Sequence, residues 1–148
     1  MSSQRLGPED DFPNLTDSNH RITSPADSSY NCIGWAAETT DWWEPDLWAQ
    51  CYWLTEAPRQ LTIPAFVRAY ETLGYAICDS PDLEVGYQKI AVFAKGTLPT
   101  HVARQLVDGS WTSKLGELED IEHATLGAVE GPFYGTVAVV MRRPAAAT

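Results

Sequence analysis

The chain has 148 residues, 44% of them hydrophobic, which is enough for one domain with a buried core. Acidic residues outnumber Lys plus Arg by 20 to 10, a formal net charge of −10, and this argues against nucleic acid or an anionic membrane as partner because both reward clustered cations. The opening stretch MSSQRLGPEDDF has no apolar run, so neither a secretory signal nor a membrane span is expected and a cytoplasmic setting follows.

Residues 1–29 are rich in Ser, Pro, Asp and Asn without periodicity and read as a loose arm ahead of a domain over 30–144, with 145–148 as a tail. Asn31 is a helix-capping type, which puts Cys32 at the first helical position with Ile33, Ala36 and Ala37 on a packed stripe, and the helix is expected to end near Thr39 and Thr40. The aromatic stretch from Asp41 to Trp53, containing Trp42, Trp43, Trp48 and Trp53, has no clean period and reads as a loop. Thr62-Ile63-Pro64 opens a second helix, Phe66, Val67, Tyr70 and Leu73 fall at helical spacing, and Gly74 closes it.

Beyond that point strands are expected: Tyr75–Cys78, Gln88–Ala94, His101–Val107, Ser110–Leu115 and Tyr134–Arg142, with a short helix over Glu117–Leu126. The Asp108-Gly109 dipeptide between two apolar runs is a strong hairpin signal. Helices first and an antiparallel sheet afterwards predict an α+β domain.

The residues with chemical potential are Cys32 and His101. A thiol is activated by a helix start and by a nearby imidazole, which takes the thiol proton and later protonates the leaving amine. Cys51 and Cys78 lack a helix-start context and read as packing residues. Three cysteines are odd in number for a disulfide framework and are not spaced as zinc ligands, so they are read as reduced thiols, and no metal or cofactor is expected. His20 lies in the arm, and His123 sits among acids in Asp120-Ile121-Glu122-His123, the pattern of an exposed surface.

His101-Val102-Ala103-Arg104-Gln105-Leu106, Asp108-Gly109 and Trp111-Thr112-Ser113 together resemble the catalytic-histidine hairpin of NlpC-type papain-like cell-wall peptidases, in which a Cys at a helix start comes earlier in the chain. YNCIGWA, GYQKIAVFA, HVARQLVDGSWTSKLG, DIEH and EGPFYG also look like a family of short bacterial proteins of unknown function, over roughly Ile22 to Pro144. The first resemblance implies a papain-like fold with N-terminal helices packed on the sheet. It also implies Cys32 as nucleophile, His101 as general base and acid, and an imidazole-orienting group at Ser113. The pattern departs from that family at Asn31, where an Asp is usual, and at Ser113, where His, Asn, Asp or Gln is usual.

The hairpin register leaves that third position open. A two-residue Asp108-Gly109 turn sets Ala103 against Lys114, so that Thr112 and Lys114 share the face of His101; a three-residue loop sets Ala103 against Ser113 and brings Ser113 beside the histidine. His123 is a further candidate, and Gln105 lies on the histidine's face in either register.

The expectation is therefore a thiol hydrolase acting on an amide or isopeptide bond of a peptide or protein. The oxyanion would be held by the Cys32 N–H and the side-chain amide of Asn31 or Gln105, and Trp42 and Trp43 would shape the cleft. The rival is a non-catalytic binding module, of immunity or adaptor type, that recognises a partner through its acidic surface and exposed tryptophans.

Overall fold

The computed structural model describes residues 20–24, 31–38, 62–114, 120–131 and 134–145. Seven strands form one sheet in the order β1-β6-β5-β4-β3-β7-β2, and every neighbouring pair is antiparallel. In chain order they are β1 His20–Ser24, β2 Ala76–Cys78, β3 Tyr87–Lys95, β4 Leu98–Gln105, β5 Trp111–Lys114, β6 Asp120–His123 and β7 Thr136–Pro144. Two α-helices accompany them, α1 Cys32–Ala36 and α2 Ile63–Glu71, with a 3-10 turn over Leu126–Val129.

This corrects the expected papain-like α+β domain with N-terminal helices packed on a sheet. Strand, not helix, dominates the described residues. Two segments account for much of the difference. The stretch read as a loose arm supplies β1, which pairs with β6. The stretch read as a short helix at Glu117–Leu126 supplies β6, where Asp120 stands opposite Lys114 and Ile121 opposite Ser113. Cross-strand partners of this kind outweigh the local propensity of a charge-rich run.

The helix ends follow their capping chemistry. Thr62 accepts a hydrogen bond from the Ala65 N–H at 3.2 Å at the start of α2, and Gly74 closes it at φ +95°. The α2 face of Ala65, Phe66, Ala69 and Tyr70 is buried, and the Tyr70 hydroxyl donates to the Ile33 carbonyl at 2.8 Å, tying α2 to α1. In α1, Asn31 caps the Gly34 N–H at 3.1 Å, but the helix stops after Ala36 because Glu38 turns left-handed at φ +67°.

The sheet separates two cores. Ile90, Val92, Val102 and Met141 face α1 and α2 and pack with Cys32, Ile33, Phe66 and Tyr70. Ala91, Phe93, Ala103, Trp111 and Ile121 face the other way and pack with Ala128, Val129 and Tyr134. The strand β3 lies near the middle, buried on both faces from Ile90 to Ala94. At Phe93 the register shifts against both neighbours, β4 and β7.

Gly135 sits against that irregular stretch at φ +76°, where a Cβ would stand 2.1 Å from the Ala94 carbonyl oxygen. The position tolerates only glycine. Gly135→Ala should destabilise the protein by more than about 2 kcal/mol, combining left-handed strain with a backbone clash. Urea denaturation of both proteins checks this, and equal midpoints would count against the packing described.

Candidate functional site

Cys32 occupies the first position of α1, as its capping context predicts, and its side chain is buried. Burial pushes the thiol up to about 11, and the N–H groups of Val102, Cys32 and Ile33 and the charge of Lys114 only partly oppose it. The helix start does not overcome this desolvation. A single turn of helix supplies little field, and burial works against the low-pKa thiolate expected there.

His101 stands opposite Phe93 across β3 and β4, with its ring stacked on Tyr134 at 4.1 Å and 8°. The β4–β5 hairpin takes the three-residue form: the Leu106 N–H donates to the Ser110 carbonyl, the Gly109 N–H to the Leu106 carbonyl, and Gly109 is left-handed at φ +92°. Arg104 then faces Thr112, and Ser113 falls on the face of His101. Ser113 Oγ lies 2.9 Å from His101 Nε2 and 2.7 Å from His123 Nε2, and His123 Nδ1 donates to the Thr125 carbonyl at 2.8 Å.

These contacts fix the direction of each hydrogen bond. A carbonyl only accepts, so neutral His123 carries its proton on Nδ1 and offers a lone pair at Nε2. The Ser113 hydroxyl donates there and accepts from Nε2–H of His101. His101 Nδ1 is left bare, buried and without a hydrogen-bond partner. Burial holds both imidazoles neutral: His101 is well below the ordinary value, with the charge of His123 adding to the effect, and His123 is lowered to about 4.

The structure does not join this chain of hydrogen bonds to the thiol. Cys32 packs with Val92 and Val102 on the helical face, whereas the ring of His101 lies among Phe93 and Tyr134 on the opposite face. Neither makes a hydrogen bond to the other. The register that brings Ser113 to His101 sends Thr112 and Lys114 to the α1 side, where Thr112 accepts from Trp35 Nε1 at 3.0 Å and Lys114 is fully buried opposite a fully buried Asp120.

Of the proposed oxyanion donors, the amide of Gln105 is engaged elsewhere. Asn31 accepts in the cap through its side-chain oxygen, which is not the atom that would hold an oxyanion. Gln105 lies four residues along β4 from His101, roughly 13 Å away, and its amide donates to the Pro81 carbonyl at 2.9 Å. Cys78 is on β2 at the far edge of the sheet. Cys51 and Trp42, Trp43, Trp48 and Trp53 lie outside the described residues. Among the described residues no three His, Cys, Asp or Glu side chains converge as a metal site requires, and no helix is long and apolar enough to cross a membrane.

A second feature escaped the sequence reading. Lys89, on β3, is buried, and its ammonium donates to the carbonyls of Ser80 and Asp82, both at 2.7 Å, and pairs with Glu84 at 3.3 Å. Glu84 also binds Arg142, whose guanidinium lies 4.3 Å above the Tyr87 ring. The pinned loop forms one wall of a cleft of about 260 Å³, and Leu106 and Val107 at the hairpin tip form the other. Val85 and Val107 are 95% and 97% exposed at this cleft, with Leu83 and Tyr87 exposed beside them. In the sequence, these apolar residues sit in an aperiodic Pro- and Asp-containing turn, and only the folded loop brings them to the hairpin.

The neutral imidazoles give the fold a pH dependence. Both folded values lie below the ordinary 6.5, so the unfolded chain binds more protons as the solution is acidified. The stability from His101 and His123 is complete above about pH 6.5 and is lost as pH falls toward 4. Urea unfolding between pH 7.5 and 5 should show falling midpoints with proton uptake approaching two, and His123→Gln should reduce that uptake by about one.

No curated protein matches the chain, and neither does any solved structure. One family does match, described as a domain of unknown function (DUF7689), over residues 21–142, which runs from β1 through most of β7. The chain belongs to that family.

Proposed function

We propose that the protein is a non-catalytic binding module, of adaptor or immunity type, that recognises a peptide or protein. The observation that carries this reading is the cleft, where Val85 and Val107 stand almost fully exposed on two facing walls and the Lys89 brace holds one wall in place. Clustered apolar groups that stay in water cost free energy, and contiguous patches of them mark contact sites. A preformed wall lowers the ordering cost of binding. A cytoplasmic setting is part of the proposal and is supported by the free thiols of Cys32 and Cys78.

A second reading is favoured by one observation: His101 Nδ1 is buried, bare and unbonded, with its tautomer fixed through Ser113. That is the form of a general base. In a thiol hydrolase with the motif order of NlpC-type peptidases, Nδ1 would take the Cys32 proton, the sulfur would attack an amide or isopeptide carbonyl, and the imidazolium would protonate the leaving amine. Cys32 would have to move, since no hydrogen bond joins it to His101 and burial now works against both charged partners.

Iodoacetamide labelling resolved by residue separates the two. Cys32 should react more slowly than Cys78 from pH 6 to 8, and His101→Ala should leave its rate unchanged. A Cys32 that outpaces Cys78 at pH 6 and slows on His101→Ala would replace the binding reading with the hydrolase. In parallel, amide NMR shifts on titration with small aromatic fragments should concentrate in residues 83–88 and 105–109.

A further inference from the structure

We infer that the cleft between the Lys89-pinned loop and the β4–β5 hairpin takes a cationic, apolar peptide segment, an inference that rests on the binding reading. The apolar requirement comes from Leu83, Val85, Tyr87 and Val107, whose exposed surface is removed from water only by a nonpolar side chain lying between the walls. On the other side of Leu83 and Gln105 lies a second depression of about 270 Å³ that reaches Trp111 and Leu126, so a segment seated in the cleft has a further apolar hollow within reach.

The charge requirement comes from both rims. Asp82 lies on the loop side and Asp108 beside Val107 on the hairpin tip, both exposed; the Asp108 carboxylate accepts from the Ser110 N–H and hydroxyl through one oxygen and keeps its charge. The nearby cations are already used: Lys89 and Arg142 are bound to Glu84, and Arg21, whose charge reaches Asp108, is paired with Glu122 at 2.8 Å. With a net charge of −10 over the whole chain, the field at the groove favours a positively charged partner and repels a second copy of the same protein.

One polar group also points to a ligand. Gln105 is buried and lines both depressions. Its amide nitrogen donates to Pro81, which fixes the other side-chain atom as an oxygen, and that oxygen has no hydrogen-bond partner. A buried acceptor left unpaired is costly, and a peptide N–H or a lysine or arginine side chain would satisfy it.

Fluorescence anisotropy with three labelled nonapeptides tests this. Each carries leucine and phenylalanine at its centre, flanked by lysine, serine or aspartate pairs. The lysine-flanked peptide should bind at least tenfold more tightly than the aspartate-flanked one at low salt, with the advantage shrinking in 0.5 M salt. Val107→Asp should weaken it at least tenfold, and Asp82→Asn with Asp108→Asn should remove most of the salt dependence. Both changes are at exposed positions and leave the core intact.

Equal binding of the three peptides would overturn the charge assignment while leaving the binding module standing. No peptide binding, with fragments still mapping to residues 83–88, would overturn the peptide itself. If fragments also fail to map there, the underlying binding reading falls. Concentration-dependent self-association abolished by Val107→Asp would make a second copy the occupant and overturn the proposal.

Discussion

A left-handed glycine at position 109 and the Leu106–Ser110 hydrogen bond decide much of this molecule, because they set the β4–β5 register. In a sheet, a slip of one residue exchanges the two faces. With the register found, Ser113 joins His101 and His123 on one side, while Thr112 and Lys114 turn to the helices on the other. The same hairpin geometry leaves Val107 at the tip, with nothing over it. A two-residue turn would have placed Lys114 beside the histidine and moved Trp111 out of the core that it now shares with Ile121.

Burial explains the electrostatics of both faces. The same desolvation that raises the Cys32 thiol lowers the two imidazoles, so each pressure acts against a thiolate–imidazolium pair. Apart from His101 Nδ1, which stays unbonded, the polar groups around these residues meet neutral partners or a facing opposite charge. On the helix-free face a hydroxyl links two neutral rings to a carbonyl. On the helical face, Lys114 stands opposite Asp120, and a buried cation with a facing anion is a costly arrangement that helps specify which strands lie side by side.

Parts of the fold were legible where one residue carries a local mechanism. Thr62, Pro64 and Gly74 mark α2 at both ends, Asn31 marks the start of α1, and the apolar run around Ile90–Ala94 marks β3. The strands β1 and β6 were not legible, because each is short and half polar and is held by its partners across the sheet rather than by its own composition. The candidate site divides in the same way. The order of Cys32, His101 and Ser113 can be read along the chain, and the Ser113–His101 bond follows from one of the two registers that the hairpin allowed. The face on which α1 packs cannot be read, since it depends on Val102, Arg104 and Thr112 meeting α1 and the residues that follow it, with Trp35 against Thr112 and Glu38 against Arg104. The groove was hidden for a related reason: it joins two segments far apart in sequence.

The ammonium of Lys89 grips backbone carbonyls of the loop, at Ser80 and Asp82, and needs only one side chain from it, Glu84. The shape of the wall therefore does not depend on what stands at Val85, which is almost fully exposed, whereas Leu83 lies beside Gly109 of the hairpin. Substitutions at Val85 can be made without refolding the loop, and under the proposed binding reading they would alter what the cleft takes while keeping one scaffold.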